Sequence, residues 1–172
     1  MALTEQERLH LENALEQIAL AEAAAQALRY SYQHRPEIKE DRGYNDAEWE
    51  RWDALTARFA RLADIVMQRV FRAIDMVEFL PPGGTFIDRI NRAEKRGHIR
   101  SAYEWKEIRE IRNQVVHEYA TAHLLSLLRD VVQHIPELLE CVERLREYEG
   151  VIQQRLKDSA AVTSPFRRKG HR

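Results

Sequence analysis

Cysteine is almost absent from the sequence, since Cys141 is the only one among 172 residues. A single cysteine excludes intramolecular disulfides and cysteine-rich zinc sites. Glycine and proline are also scarce, with six and five copies. Because these two residues interrupt regular structure, their scarcity predicts few, long helices rather than many short strands.

Long apolar runs and a strong net charge are missing as well. The longest apolar stretches fall far short of a membrane span, and the amino terminus lacks a basic segment followed by an apolar run. We therefore expect no membrane segment, no signal peptide and a cytoplasmic location. The net charge of −1 means that a nucleic-acid partner would need a local basic patch.

Two kinds of ligand site are not expected either. The sequence contains no glycine-rich phosphate loop, so we expect no cofactor of that class. The seven histidines show no convincing metal-ligand spacing with carboxylates, so we expect no metal.

Residues that favour helices are abundant, and the apolar residues recur at helical spacing. Apolar residues make up 44% of the chain, and Ala, Leu, Glu, Arg and Gln dominate it. The pattern predicts an all-α fold, an antiparallel up-and-down bundle of about five helices. They are expected from Glu5 to about Tyr32, from Asp46 to about Phe79, from Thr85 to about Arg96, from Ser101 through the motif below, and from Ala122 to Leu156.

Short local signals mark the ends of these helices. Thr4 with Glu7, and Ser101 with Glu104, match capping boxes. Gly97 suits a left-handed C-cap, and Pro136 should bend or split the last helix. We predict one helical domain over residues 1–158. Residues 159–172 lack an apolar face and are predicted to form a disordered basic tail.

The run REIRNQVVHEY, from Arg109 to Tyr119, contains the three residues on which the functional prediction rests, Arg112, His117 and Tyr119. At about 100° per residue, Arg112 lies at the edge of a core-facing stripe. A guanidinium there must reach a partner, a water-filled cleft or an anion, because burying an unpaired charge is costly. Glu107 or Glu110 would serve as the partner if Arg112 is only structural. The stripe itself consists of Ile108, Ile111, Val115 and Tyr119.

His117 lies on a different side of that helix. It is about 140° from Arg112 and shares a side with Asn113. Arg112 and His117 can therefore act on one group only across a groove, for example at a subunit interface, or if the helix is distorted. A lone histidine at a helix end is otherwise usually structural.

Arg112, His117 and Tyr119 together fit R-x-x-x-x-H-x-Y, and the chain resembles the HepT-type HEPN ribonuclease toxins. The run FARLADIVMQRVFRAIDM, Phe59 to Met76, looks like the long core helix of that family. The similarity covers roughly Leu9 to Leu156. It implies a HEPN bundle that forms a homodimer, whose two motif helices meet in a cleft, and a metal-independent endoribonuclease activity.

The resemblance also implies roles for individual residues. His117 would move a proton at the ribose 2′-hydroxyl or the leaving oxygen, and Arg112 would stabilise charge on the scissile phosphate. Asn113 would orient His117 or contact the substrate. Tyr119 would be the target of AMPylation by a cognate minimal nucleotidyltransferase antitoxin, which would block the anion site.

Basic residues are concentrated just before the motif and at its start. They are a possible path for RNA phosphates, although Asp88 and Glu94 dilute the charge and a solvated helix face is the alternative. The residues are Arg89, Arg92, Lys95, Arg96, Arg100, Lys106 and Arg109.

The leading hypothesis is thus a ribonuclease toxin of a toxin–antitoxin pair. The alternative is a non-catalytic HEPN subunit that binds nucleotide or nucleic acid and partners a nucleotidyltransferase. A third hypothesis is a helical interaction protein in which Arg112 and His117 are structural.

Overall fold

Residues 2–41, 43–78, 84–117 and 123–163 are described by the computed structural model. Within these ranges the regular elements are all helical, which confirms the predicted fold class. They are α1 (Glu5–Gln33), α2 (Asp46–Asp64), a π-helical segment (Ile65–Val70), α3 (Phe71–Val77), α4 (Phe86–Lys95), α5 (Ala102–His117) and α6 (Leu124–Thr163).

Side-chain caps fix the starts of several helices. Thr4, Asn45 and Thr85 each accept a bond from the backbone N–H three residues later, and each capping box is completed by the acidic side chain at that position. Ser101 Oγ accepts from the backbone N–H of Glu104 at 3.4 Å, which is one of the two hydrogen bonds of the predicted capping box. Gly97 follows α4 with φ of 76°, a conformation that favours glycine.

The predicted second helix is a composite in the structure. Its turns continue from Asp46 to Val77, but Ile65–Val70 is π-helical. The spacing of apolar residues does not distinguish the i→i+5 hydrogen bonds of a π-helix from the i→i+4 bonds of an α-helix. The sequence therefore predicted one uniform helix. The predicted end near Phe79 lies outside the described residues.

The last helix, α6, differs from prediction in two respects. It is one element through Pro136, so the proline does not split it. It also includes residues 159–163, which were assigned to the tail, and Ser159 Oγ accepts from the backbone N–H of Leu3 at 2.9 Å. The remainder of the predicted tail, residues 164–172, lies outside the described residues.

The core forms where α1, α2, α3, α5 and α6 pack together. Trp52, Phe59 and Trp105 are among its largest fully buried side chains. Trp105 holds α5 in place, because its ring lies 5.3 Å from that of Phe71 on α3 and its Nε1 donates to Glu137 on α6 at 3.1 Å. In the part of the chain that the structure describes, none of the helices combines the length and apolar character needed to cross a membrane.

Candidate functional site

Arg112 lies on α5 with its guanidinium partly exposed, at 26% of the side-chain surface. Its Nη2 donates to Asp64 Oδ2 at 2.7 Å, and its Nη1 donates to Asn113 Oδ1 at 3.1 Å. The partner is therefore Asp64, from a distant part of the sequence, rather than Glu107 or Glu110. Arg112 Nε is buried and has no hydrogen-bond partner among the described protein groups. This guanidinium is fixed in position while part of its donor set stays free.

A groove of about 720 Å³ opens beside Arg112. One wall comes from α5, and the opposite wall comes from the end of α2 and the π-helical segment. Four arginines and one aspartate are the charged residues that line it. The lining consists of Leu20, Arg61, Asp64, Ile65, Met67, Gln68, Arg69, Arg109, Arg112 and Asn113.

The charge of this groove is positive. Asp64 is already paired with Arg112, and Arg61 and Arg69 are exposed without an acidic partner among the described residues. The guanidinium of Arg109 lies 4.6 Å from the centre of the Phe86 ring. Arginine presents a planar fork of donors that matches a phosphate, so the groove has the chemistry of an anion site.

His117 is the last residue of α5 and is exposed. It does not belong to the groove lining that includes Arg112 and Asn113. Arg112 and Asn113, by contrast, both line the groove. Tyr119 lies outside the described residues.

Three of the basic residues predicted to bind RNA are engaged in ion pairs. Arg92 Nε and Nη2 donate to Asp75 at 3.0 and 2.5 Å, and Arg96 donates to the same buried carboxylate at 2.8 Å. The hydrogen bond to Asp75 raises the pKa of Arg92. Arg100 pairs with Glu140. These contacts hold α4 and its following turn against the bundle, and they engage all three guanidinium groups with protein carboxylates.

The other predicted residues have different surroundings. Arg89 is half-buried and donates to the backbone carbonyl of Gly84 at 2.9 Å. Burial lowers the pKa of Arg89, and the neighbouring charge of Arg72 lowers it further. Lys95 and Lys106 are exposed. Of the predicted set, only Arg109 lines the groove beside Arg112.

Sequence reasoning missed the groove wall opposite α5. Arg61, Asp64, Gln68 and Arg69 belong to a stretch that was interpreted as a core helix. A signal was present, because these polar residues recur beside the apolar stripe of this helix at spacings of about one helical turn. What the sequence did not reveal is that this polar edge faces Arg112.

A buried polar cluster elsewhere has a structural role. Glu137, only 4% exposed, accepts from Trp105 Nε1 and from Arg144 Nη1 at 3.1 and 3.2 Å. Nearby, His98 is 5% exposed, and burial lowers its pKa to about 4. These groups join α5, α6 and the turn after α4.

A protein-family model described as ribonuclease HepT-like matches residues 14–145 of the chain. The match includes the whole of α5 and both walls of the groove, with Arg112, Asn113 and His117. No curated protein and no solved structure matches the chain.

Proposed function

The chain belongs to the HepT-like ribonuclease family, and from this premise we propose that it is a metal-independent endoribonuclease with Arg112 and His117 as its catalytic residues. We propose further that it acts as the toxin of a toxin–antitoxin pair. Its substrate is then RNA.

The position of Arg112 is the main support for this proposal. Within the family match, Arg112 lies in a positively charged groove, is held by Asp64 and Asn113, and stays 26% exposed. Asp64 offsets the charge of Arg112 itself. Here the neighbouring groove residues add positive charge, which favours a bound anion such as a phosphodiester.

The proposed reaction uses the ribose 2′-hydroxyl as the nucleophile. His117 takes the proton from this hydroxyl, and the 2′-oxygen forms a bond to phosphorus. The bond between phosphorus and the 5′-oxygen breaks, and that oxygen receives a proton from an imidazolium. The products are a 2′,3′-cyclic phosphate and a 5′-hydroxyl end. Arg112 stabilises the negative charge that builds up on the phosphoryl oxygens.

A homodimer would supply the second imidazole that this reaction needs. One imidazole cannot be general base and general acid in the same step, whereas two copies of His117 can divide these roles. Val116, next to His117 in the sequence and 44% exposed, offers an apolar contact for a second copy at this end of α5.

A partner protein would control the ribonuclease activity by modifying it. Tyr119 follows His117 closely in the sequence and is the proposed target of AMPylation by a cognate minimal nucleotidyltransferase. An adenylate there would add bulk and negative charge beside the catalytic groups, and would oppose the approach of RNA.

RNA cleavage by the purified protein, with and without a chelator, tests the activity and its metal independence. His117→Ala and Arg112→Ala should each abolish cleavage and leave the circular dichroism spectrum unchanged. His34→Ala and Arg51→Ala, at exposed positions away from the groove, serve as matched controls and should cleave normally. A wild-type protein that cuts no RNA contradicts the proposal, and activity in His117→Ala contradicts the assignment of the base.

A further inference from the structure

Two arginines beside the proposed catalytic centre have no role in the chemistry described above. Arg61 lies in the last turn of α2, and Arg69 lies in the π-helical segment. Both line the groove that also contains Arg112. Both side chains are exposed, so neither is needed to fill the core.

The charges that line the groove do not balance. Arg61, Arg69, Arg109 and Arg112 supply four positive charges, and Asp64 supplies one negative charge that is already paired with Arg112. The whole chain has a net charge of −1, so the local excess is not a consequence of overall composition. Clustered like charges repel one another, and a polyanion bound in the groove would relieve that repulsion.

The positive surface continues beyond the groove. Arg109 lies over the ring of Phe86 at the start of α4, which extends the charge towards that helix. Burial lowers the pKa of Arg89, the charge of Arg72 lowers it further, and the charge of Asp75 opposes this shift. Arg109 therefore extends the positive surface from the groove to the start of α4.

The side chains in the groove also indicate which part of a nucleic acid they would contact. The ten lining residues described by the structure include no aromatic ring on which a base could stack. Arginine side chains and the amides of Gln68 and Asn113 are suited to phosphate and sugar oxygens. Such contacts position a strand without reading its sequence.

We propose that this groove binds the RNA phosphates that flank the scissile one, with Arg61 and Arg69 as the principal binding residues. The inference rests on the proposed ribonuclease function and adds to it a path for the substrate. The strand crosses the π-helical wall opposite α5. It does not follow the α4 residues Arg92 and Arg96, because these are engaged with Asp75.

Binding can be measured separately from cleavage with a short fluorescent RNA in which every 2′-hydroxyl is methylated. This RNA lacks the nucleophile and stays intact, and its affinity is read from fluorescence anisotropy over a range of salt concentrations. The test variant is Arg61→Gln with Arg69→Gln. One control is Arg8→Gln with Arg51→Gln, which removes the same charge outside the groove. A second, Lys95→Gln with Lys106→Gln, tests the alternative path along α4 and the start of α5.

The groove variant should bind the RNA roughly 10- to 30-fold more weakly at about 0.1 M salt, because two phosphate contacts are lost. The slope of log affinity against log salt should fall in magnitude by about 1.4. Both controls should stay within about threefold of wild type. Size-exclusion chromatography of each variant shows whether its oligomeric state is unchanged.

The possible results separate this inference from the proposed function. If the groove variant binds as tightly as the controls, or if the Lys95 and Lys106 variant loses as much affinity, the path is wrong even when the wild type cleaves RNA. If adenosine monophosphate competes as well as the oligonucleotide, the groove is a nucleotide pocket and not an RNA path. If RNA binds through Arg61 and Arg69 but is never cleaved, the path is supported and only the ribonuclease proposal fails.

Discussion

Arg112 on α5 and Asp64 at the end of α2 form an ion pair that connects the motif helix to α2, immediately before the π-helical segment. The two atoms that join them, Nη2 and Oδ2, are 2.7 Å apart. Both side chains are partly exposed, at 26% and 39%. Asn113 accepts a second bond from the same guanidinium. The orientation of Arg112 is thus set by one neighbour along the chain and one across the groove.

Asp64→Asn should separate the rate of cleavage from the binding of RNA. Without the carboxylate, Arg112 loses its anchor, and we expect the maximal cleavage rate to fall about 10-fold because a catalytic group is misplaced. RNA affinity should not fall, since a negative charge leaves the groove. The free energy of unfolding should change by less than about 1 kcal/mol, because a partly exposed ion pair contributes little to stability. Single-turnover kinetics and anisotropy measure the two effects separately.

Glu40→Gln is the matched control for that experiment. It removes the acidic partner of Arg129 in an exposed ion pair, and neither residue lines the groove. Its cleavage rate should equal that of wild type. An unchanged rate in Asp64→Asn would show that the pair does not position Arg112.

Asp75→Asn should destabilise the fold. The carboxylate of Asp75 is 6% exposed and is held by both Arg92 and Arg96. Removing one member of a buried ion pair leaves the other charges uncompensated, and we expect a loss of about 3 kcal/mol in the free energy of unfolding. Urea titration followed by circular dichroism measures this loss. Asp53→Asn, at an exposed position of α2, should stay within about 0.5 kcal/mol of wild type. Equal stability of the two variants would contradict a structural role for Asp75.

His98 should make the stability depend on pH. Burial lowers its pKa from 6.5 to about 4, so the folded protein keeps the ring neutral while the unfolded chain binds a proton near pH 6.5. The unfolded state therefore binds more protons between these values, and stability is retained above pH 6.5 and lost as the pH falls towards 4. The expected loss is roughly 3 kcal/mol.

His98→Gln provides the comparison for this pH dependence. The variant has no group that titrates at this position, so its unfolding free energy should vary less between pH 6.5 and 4. Denaturant titrations at several pH values give both curves. Parallel curves for the variant and the wild type would mean that another group causes the acid sensitivity.

Tyr119→Phe should retain RNA cleavage and escape modification. The substitution removes the only oxygen that could accept an adenylate at this position and leaves Arg112 and His117 in place. Incubation with the partner nucleotidyltransferase and ATP, followed by intact-mass measurement, should show added adenylate in wild type and none in the variant. Tyr103→Phe, an exposed tyrosine on α5, is the control and should be modified like wild type. A mass gain in Tyr119→Phe would place the modification elsewhere.

The helices were largely predictable because their signals are local. Apolar residues at helical spacing gave α1, α4 and α5 close to their observed bounds, and Thr4 and Gly97 marked two of the ends. The π-helical segment was not predictable, since its hydrogen bonding leaves no trace in apolar periodicity. The end of α6 was placed too early, because residues 159–163 lack a regular apolar face.

The sequence by itself determined the family and the motif, because R-x-x-x-x-H depends only on residues close together in one helix. It also indicated that Arg112 needed a partner or an anion. Only the tertiary structure decided that this partner is Asp64, 48 residues away, and that the opposite wall carries Arg61 and Arg69. It also showed that Arg92 and Arg96 both donate hydrogen bonds to the carboxylate of Asp75. Such pairings depend on how helices pack against one another, and local periodicity fixes which face is apolar but not which charged edges meet.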